Sequence, residues 1–274
     1  MRPTLRCPCD RRFDEQTFTY EAPPAGETAF ELGTQPYKRR YLCCRLCGHW
    51  YSDHNMDLPN LYSGAYVDST YGDRMRQTFD RILALPPEKS DNAGRVARIL
   101  TFAASFFLPG KTPTLLDVGS GLGVFSYRMK EAGWRCTALD PDPRASEHAR
   151  TVVGVESVTG DFMAIDAERL KTFDVITFNK VLEHVEDPVP LLTQAATRLN
   201  PGGFVYVEVP DGEAAAVKGP GREEFFIEHH HVFSVISLAM MTSRTGFRIE
   251  ALERLREPST KYTIRAFLVQ ACET

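Results

Sequence analysis

The chain has 274 residues and a formal net charge of −4 at pH 7, and its 43% of hydrophobic residues suffices for one main α/β domain with an appendage. The negative charge, without a long basic run, argues against a nucleic-acid substrate, because phosphate binding needs a concentrated positive surface. No apolar stretch reaches the roughly 18 residues of a membrane span, and Met1 to Tyr20 is too polar for a secretory signal, so we expect a cytoplasmic protein.

Five of the seven cysteines lie within the first 47 residues, and this clustering predicts a zinc site. Thiolates at Cys-x-Cys and Cys-x-x-Cys spacing can converge on one tetrahedral ion, and a reducing compartment keeps them from forming disulfides. Cys43 is an alternative to Cys44, His49 or His54 could replace a weak ligand, and free thiols or a redox pair are the competing interpretation. The expected ligands of this structural zinc ion, in an N-terminal module of residues 1–72, are Cys7, Cys9, Cys44 and Cys47.

Three tyrosines, Tyr62, Tyr66 and Tyr71, lie in the segment that ends this module. They either form a lid over a substrate or pack the module against the rest of the chain.

A glycine turn follows the first strongly predicted strand. Thr114 to Val118 is a short apolar run that indicates a buried strand, and Leu122 to Ala132 has helical composition. Between them, the series Gly119-x-Gly121-x-Gly123 lets the backbone approach a ligand closely. Asp140 closes the next apolar run roughly 20 residues later, where a carboxylate can accept hydrogen bonds from two ribose hydroxyls.

The residues around the turn favour one class of nucleotide-type cofactor. The glycine spacing lacks the extra residue of Gly-x-Gly-x-x-Gly, and Asp117 stands two residues before the first glycine. A pyrophosphate needs hydrogen-bond donors and no nearby carboxylate, whereas an acid suits a cofactor with an ammonium group and a sulfonium. An NAD-dependent oxidoreductase is therefore disfavoured.

Further segments follow in a recognisable order. They are the turn Gly160–Phe162, the apolar run Phe173–Asn179 and the turn Leu199–Gly203, which precedes the apolar run Phe204–Val209. With the glycine turn, this series resembles the class I S-adenosylmethionine-dependent methyltransferases over roughly residues 90 to 270. The resemblance implies that the cofactor is bound by Asp117, Gly119, Ser120, Gly121, Gly123, Asp140, Pro141, Asp161, Phe162 and Asn179.

The expected fold is α/β, with a Rossmann-like seven-stranded, mostly parallel sheet and helices on both faces over residues 73–274. Strand-like and helical segments alternate from about Thr112 onward, as such a sheet requires. The polar–apolar alternation of Lys261 to Val269 predicts an antiparallel strand near the sheet edge.

A second resemblance concerns the acceptor. A zinc module before a methyltransferase domain is similar to sugar C-methyltransferases, and Glu228 to Ser234 is similar to their Glu-His-x-x-Tyr-Phe-Ser segment, with Val232 in place of the tyrosine. This resemblance implies that Glu228 and His229 lie at the substrate and transfer protons. Those enzymes continue into a second α/β domain where this chain stops, at Thr274, so methylation of oxygen or nitrogen stays as open as methylation of carbon.

The sequence therefore predicts a methyltransferase of glycan biosynthesis or a related pathway, acting on a saccharide, nucleotide sugar or small metabolite. His229 is the candidate general base, whereas a metal site made from the three consecutive histidines alone is not expected. Glu183 and His184 are expected to lie at a solvated helix start or in a packed wall. The alternative is a non-catalytic module that binds the cofactor or docks a biosynthetic partner.

Overall fold

The computed structural model describes residues 14–27, 36–54, 56, 74–166 and 168–271, which form two sheets flanked by helices. The strands, in chain order, are β1 (Asp14–Tyr20), β2 (Arg39–Cys44), β3 (Trp50–His54), β4 (Thr114–Val118), β5 (Arg135–Asp140), β6 (Glu156–Thr159), β7 (Phe173–Asn179), β8 (Leu199–Pro210), β9 (His231–Val232), β10 (Phe247–Arg256) and β11 (Tyr262–Gln270). The α-helices are α1 (Met75–Leu83), α2 (Asp91–Phe106), α3 (Val124–Glu131), α4 (Pro143–His148), α5 (Pro188–Arg198), α6 (Gly212–Ala216) and α7 (Val235–Ser243).

The larger sheet has seven strands in the order β10-β11-β8-β7-β4-β5-β6. The pairs from β6 to β8 are parallel, and β11 runs antiparallel to both of its neighbours, β8 and β10. The predicted mixed α/β sheet and its antiparallel strand next to the edge are both confirmed. Strand β8 begins five residues earlier than the apolar run Phe204–Val209 suggested, because Leu199 already pairs with Phe173 of β7.

Both faces of this sheet are buried, as helices on both sides require. Neighbouring residues of β4 and β7 belong to different hydrophobic clusters: Leu115 and Val175 lie in one, Leu116 and Ile176 in the other. Successive side chains of a strand point to opposite faces, so the continuous apolar runs of these strands supply both clusters.

Capping side chains mark the residues at which several helices begin. Ser90 accepts a hydrogen bond from the Ala93 backbone N–H at the start of α2, and Asp187 caps α5 before Pro188 in its first turn. Ser234 and Ser237 form a capping box at α7. These side chains satisfy backbone donors that the first helical turn leaves without intrahelical partners.

The smaller sheet joins the amino-terminal strands to the part of the chain that forms the larger sheet. Its order is β1-β2-β3-β9, so three antiparallel strands from residues 14–54 are extended by His231–Val232. An aromatic cluster that includes Tyr41, Trp50 and Phe225 packs beneath it. The boundary between residues 72 and 73 stays a prediction. Within the described residues, no helix is both long and apolar enough to span a membrane.

Candidate active site

The glycine turn lies between β4 and α3, at the carboxyl ends of the central parallel strands. Gly119, Gly121 and Gly123 have φ values of +70°, +50° and +67°, which disfavour residues with a Cβ. A Cβ at Gly119 would lie 2.8 Å from Val181, and one at Gly123 would lie 2.8 Å from Val153. A Cβ at Gly121 would meet no atom of the described residues within 4 Å. The outer glycines are therefore required by packing, whereas Gly121 faces the side on which a ligand can approach.

Asp117 lies in β4, two residues before Gly119, and stabilises the turn. Its carboxylate is buried and accepts hydrogen bonds from Ser126 Oγ at 2.7 Å, Thr177 Oγ1 at 2.9 Å and Asn179 Nδ2 at 2.9 Å. Burial raises the pKa of Asp117, against the effect of these three donors. The contacts tie β4 to β7 and α3, so Asp117 acts on the geometry of the turn; direct contact with a cofactor stays a prediction.

Asp140 holds the glycine turn at its middle residue. Its Oδ2 accepts the Gly121 backbone N–H at 2.8 Å, and its Oδ1 accepts the Asp142 backbone N–H at 2.9 Å. Burial raises the pKa of Asp140, and the two backbone donors oppose that shift. Each carboxylate oxygen has a further lone pair, so the group can still accept hydrogen bonds from a ligand.

The remaining predicted cofactor residues lie around the same strand ends. The Gly160 backbone N–H donates to the Asp140 carbonyl at 3.1 Å, which brings the exposed Asp161 close to Asp140. Phe162 is buried against Phe178, with ring centroids 5.9 Å apart, and Pro141 is exposed.

Among the residues that the structure describes, two buried polar atoms beside the turn lack a hydrogen-bond partner. They are Ser120 Oγ and Asn179 Oδ1. Buried polar atoms are nearly always satisfied in folded proteins, so both atoms are suited to contact a polar ligand.

Lys180 is a strained residue at this site that the sequence analysis missed. It follows β7 with φ +59°, and among the described residues the other non-glycine position with positive φ is Thr260. Its Nζ donates to Thr263 Oγ1 at 2.7 Å and lies 3.8 Å from Glu208 Oε1. Burial lowers the pKa of Lys180. Such strain is concentrated at functional sites, and positive φ in a lysine is the kind of feature that composition does not reveal.

The buried Glu183 and the partly buried His184 and His229 form a cluster next to the turn. One potential ligand atom from each lies within 4.8 Å of the others, and the two imidazole centroids are 4.8 Å apart. Val181, which packs on Gly119, connects this cluster to the glycine turn. Glu183 is 1% exposed, so of the two expected placements the packed wall fits this residue and the solvated helix start does not.

Burial controls the charge of the cluster. It raises the pKa of Glu183 to about 7, with Lys180 opposing the shift, and lowers the pKa of His184 to about 4. Burial also holds the pKa of His229 well below its usual value. Both imidazoles are therefore neutral at pH 7. His184 Nδ1 lies 2.9 Å from the Glu228 carbonyl and His229 Nδ1 lies 2.9 Å from the Glu224 carbonyl, so each Nδ1 carries the proton and each Nε2 the lone pair.

The three consecutive histidines have different surroundings. His229 faces His184, whereas the His230 backbone N–H donates to the Glu183 carbonyl at 2.7 Å. His231 belongs to β9, and its Nδ1 lies 3.0 Å from His49 Nε2. The three histidine side chains of this run therefore contact different groups. Glu228 precedes it, and burial raises the pKa of its carboxyl to about 7.

The amino-terminal sheet holds the segment that carries His229. Tyr41 is fully buried, and its hydroxyl lies 2.6 Å from the His229 carbonyl and 3.0 Å from the Phe226 carbonyl. Arg39 donates to the Phe225 carbonyl at 2.8 Å and forms a buried ion pair with Glu27. Positioning His229 is thus a role of the small sheet that sequence reasoning did not find.

The predicted zinc ligands are only partly within the described residues: Cys7 and Cys9 lie outside them, as do Tyr62, Tyr66 and Tyr71. Cys44 and Cys47 are buried together against Met240, and the Gly48 N–H donates to the Cys44 carbonyl at 2.7 Å. Cys43 instead packs at the aromatic cluster of the small sheet, and burial raises the pKa of its thiol to about 12. His49, one of the alternative ligands, lies 3.1 Å from Ser237 Oγ and 3.0 Å from His231 Nδ1 through its two ring nitrogens.

Comparison with known sequences identifies the family. A family model described as a methyltransferase domain matches residues 73–252. A ubiquinone biosynthesis O-methyltransferase of Xanthomonas campestris pv. campestris (strain B100) is 33% identical over 135 residues, which cover 47% of this chain and 56% of that protein. A cypemycin N-terminal methyltransferase of Streptomyces sp is 31% identical over 171 residues, covering 57% and 66%. The chain thus spans between half and two thirds of the length of these relatives.

Solved structures show the same fold. The magnesium protoporphyrin IX methyltransferase of Synechocystis PCC 6803, solved with bound S-adenosylhomocysteine, matches with a TM-score of 0.57 at 16% identity, covering 76% of this chain and 98% of that one. The 1,6-didemethyltoxoflavin N1-methyltransferase of Burkholderia thailandensis matches with a TM-score of 0.56 at 18% identity, covering 83% and 96%. Since the family model matches more than half of the sequence, the chain belongs to the methyltransferase domain family.

Proposed function

We propose that this protein transfers a methyl group from S-adenosylmethionine to a saccharide, a nucleotide sugar or a related small metabolite. The observation that carries the proposal is the turn of residues 119–123, whose middle glycine is held by Asp140 and faces no atom of the described part of the chain within 4 Å of an added Cβ. When bound there, S-adenosylmethionine supplies an electrophilic methyl group on its sulfonium. The protein's own contribution is to position the acceptor and exclude water.

The side chains around the turn match the polar groups of this cofactor. Asp140 would accept hydrogen bonds from the ribose hydroxyls, and Asp161 with Phe162 would flank the adenine. Ser120 Oγ and Asn179 Oδ1 have no hydrogen-bond partner among the described residues, and a polar ligand would satisfy both. Pro141 follows Asp140 at the rim of the same site.

The acceptor would lie between the turn and the cluster of Glu183, His184 and His229. His229 Nε2 carries a lone pair because Nδ1 bonds the Glu224 carbonyl, so this nitrogen can accept the proton that the acceptor loses. Glu228, the preceding residue, is a second buried acid–base group. The two relatives are named for methylation of oxygen and of a peptide amino terminus, so the acceptor atom is left open here.

The amino-terminal module would also bind a structural zinc ion. Cys44 and Cys47 are buried side by side, and the Gly48 turn with φ +70° brings the two residues together. They would supply two thiolates, with Cys7 and Cys9 as the other two, in a tetrahedral structural site. The ion would stabilise the module that positions His229.

Titration calorimetry with S-adenosylmethionine, and in parallel with NAD, tests the cofactor. We expect binding of S-adenosylmethionine only, and binding of NAD alone would overturn the proposal. Sugar nucleotides and glycans are then screened for methyl transfer. Binding without transfer to any acceptor would favour the non-catalytic module instead.

The variant His229→Ala tests the proton acceptor, with His230→Ala as the matched control. General-base catalysis contributes roughly 10²- to 10⁴-fold, so His229→Ala should lower turnover at least about 100-fold while cofactor affinity stays nearly unchanged. His230→Ala should keep turnover close to that of the unmodified protein. Equal turnover in both variants would remove His229 from the mechanism.

A further inference from the structure

Lys180 connects strand β7 to the short turn Leu182–His184, and its backbone is left-handed. Its φ is +59°, in a region that an L-residue occupies only where the surrounding contacts require it. The Lys180 backbone N–H donates to the Glu208 carbonyl at 3.0 Å, so it still continues the pairing of β7 with β8. The chain therefore changes direction at Lys180, directly at the carboxyl end of β7.

The direction that the chain takes after Lys180 determines a contact with the glycine turn. The next residue, Val181, lies so close to Gly119 that a Cβ on this glycine would be 2.8 Å from Val181 Cγ2. The Val181 carbonyl then accepts the His184 backbone N–H at 3.0 Å. Since φ and ψ are the two soft dihedrals of each residue, a different φ at Lys180 would move Val181 away from Gly119.

The Lys180 side chain is anchored across the two neighbouring strands. Its Nζ donates to Thr263 Oγ1 of β11 at 2.7 Å and lies 3.8 Å from Glu208 Oε1 of β8. Glu208 is fully buried and is held in turn by ion pairs with Arg95 and Arg265. Burial lowers the pKa of Lys180, and Glu208 opposes this shift. A side chain that is fixed at its far end restricts the backbone to which it is attached.

We propose that Lys180 is a positioning residue for the cofactor: its anchored side chain holds the left-handed backbone that packs Val181 against Gly119. The inference rests on the proposed function, in which S-adenosylmethionine binds at the glycine turn. In this role Lys180 acts through Val181 and transfers no proton. A glycine would allow the same backbone but would not enforce it, because glycine adopts positive and negative φ about equally.

Two substitutions at Lys180 separate the effect of the backbone from that of the amino group. Lys180→Met removes the amino group and keeps a side chain that disfavours positive φ, so the backbone can relax. The cost of the left-handed region corresponds to a change of about 5- to 30-fold in population, and the Kd for S-adenosylmethionine should rise by that factor. Lys180→Gly also removes the amino group but adopts φ +59° without steric cost, so its Kd should rise only about twofold.

Titration calorimetry measures Kd, and thermal unfolding shows that each variant is folded. Thr260→Gly is the matched control, because Thr260 has φ +78° and lies exposed in the turn between β10 and β11. Its Kd should equal that of the unmodified protein. Thr263→Val keeps the side-chain shape and removes the hydroxyl that Nζ contacts, so it should raise Kd by less than Lys180→Met does. This variant stays informative if Lys180→Met does not fold.

An unchanged Kd in either Lys180→Met or Thr263→Val would overturn the inference, because the anchor would then be unnecessary. Equal weakening in Lys180→Met and Lys180→Gly would also contradict it, since the amino group and not the backbone would then determine the affinity. If the unmodified protein does not bind S-adenosylmethionine, the proposed function itself is refuted. If it binds and either of the two contrary results is found, only the role of Lys180 is refuted.

Discussion

Replacing Gly121 with alanine tests whether the cofactor lies against the middle of the glycine turn. Gly121 has φ +50°, and a Cβ there would lie more than 4 Å from every atom in the described ranges outside its immediate neighbours. An L-residue in the left-handed region costs about 1–2 kcal/mol, and the reduced entropy of the unfolded chain returns about 0.4–1 kcal/mol. We therefore expect a net loss of about 1 kcal/mol in folding stability, or about 2–4 °C in Tm.

The effect on cofactor binding should be larger than this loss of stability. The added methyl group would enter the space that S-adenosylmethionine needs for close contact with the backbone. Overpacking of this kind costs about 1–3 kcal/mol, which corresponds to about a 5- to 150-fold increase in Kd. Titration calorimetry measures Kd, and differential scanning calorimetry measures Tm.

Gly133→Ala is the matched control. Gly133 has φ +88°, its Cβ would also meet no atom within 4 Å, and it precedes β5 at the end opposite to Asp140. The two variants should lose similar stability, but only Gly121→Ala should lose cofactor affinity. Equal Kd values would refute the assignment of the turn as the cofactor contact.

Three further predictions concern buried carboxylates. Asp140→Ala should raise the Kd for S-adenosylmethionine at least about 10-fold, because hydrogen bonds to a charged group are worth about 1.5–3 kcal/mol; unchanged calorimetry would remove it from the site. Although burial opposes the shift, donors such as Lys111 lower the pKa of Asp174 to about 2, below its unfolded value near 4. Asp174 should therefore stabilise the fold above about pH 4 and lose this effect as the pH falls towards 2, so the Tm deficit of Asp174→Asn should shrink on acidification. Arg95→Ala should cost about 3 kcal/mol or more in urea unfolding, because it removes a buried partner of Glu208; a loss below 1 kcal/mol would contradict this.

The amino-terminal sheet positions the segment that carries His229. Tyr41 contacts the His229 carbonyl, and β9 continues the chain directly from His230 into the small sheet. A change in this sheet would therefore act on the proposed acceptor site through this segment.

The sequence alone determined the local structure around the glycine turn. Strand β4, the glycine turn and Asp140 at the end of β5 were all predicted at the positions where they are found. The reason is physical: apolar runs, glycine conformations and turn chemistry are local properties that a few neighbouring residues determine. The buried strand β7 and the antiparallel strand β11 were read from the same kind of pattern.

Only the tertiary structure decided which residues surround His229 and Asp117. Glu183 and His184 follow a strand pattern that indicates nothing about His229, yet parallel pairing of β7 and β8 and the return of the chain to β9 bring the three together. The burial of Asp117 under three donors from α3 and β7 likewise depends on contacts between distant residues. Burial and partner identity set the pKa of these groups, and both arise only when separate segments pack against one another.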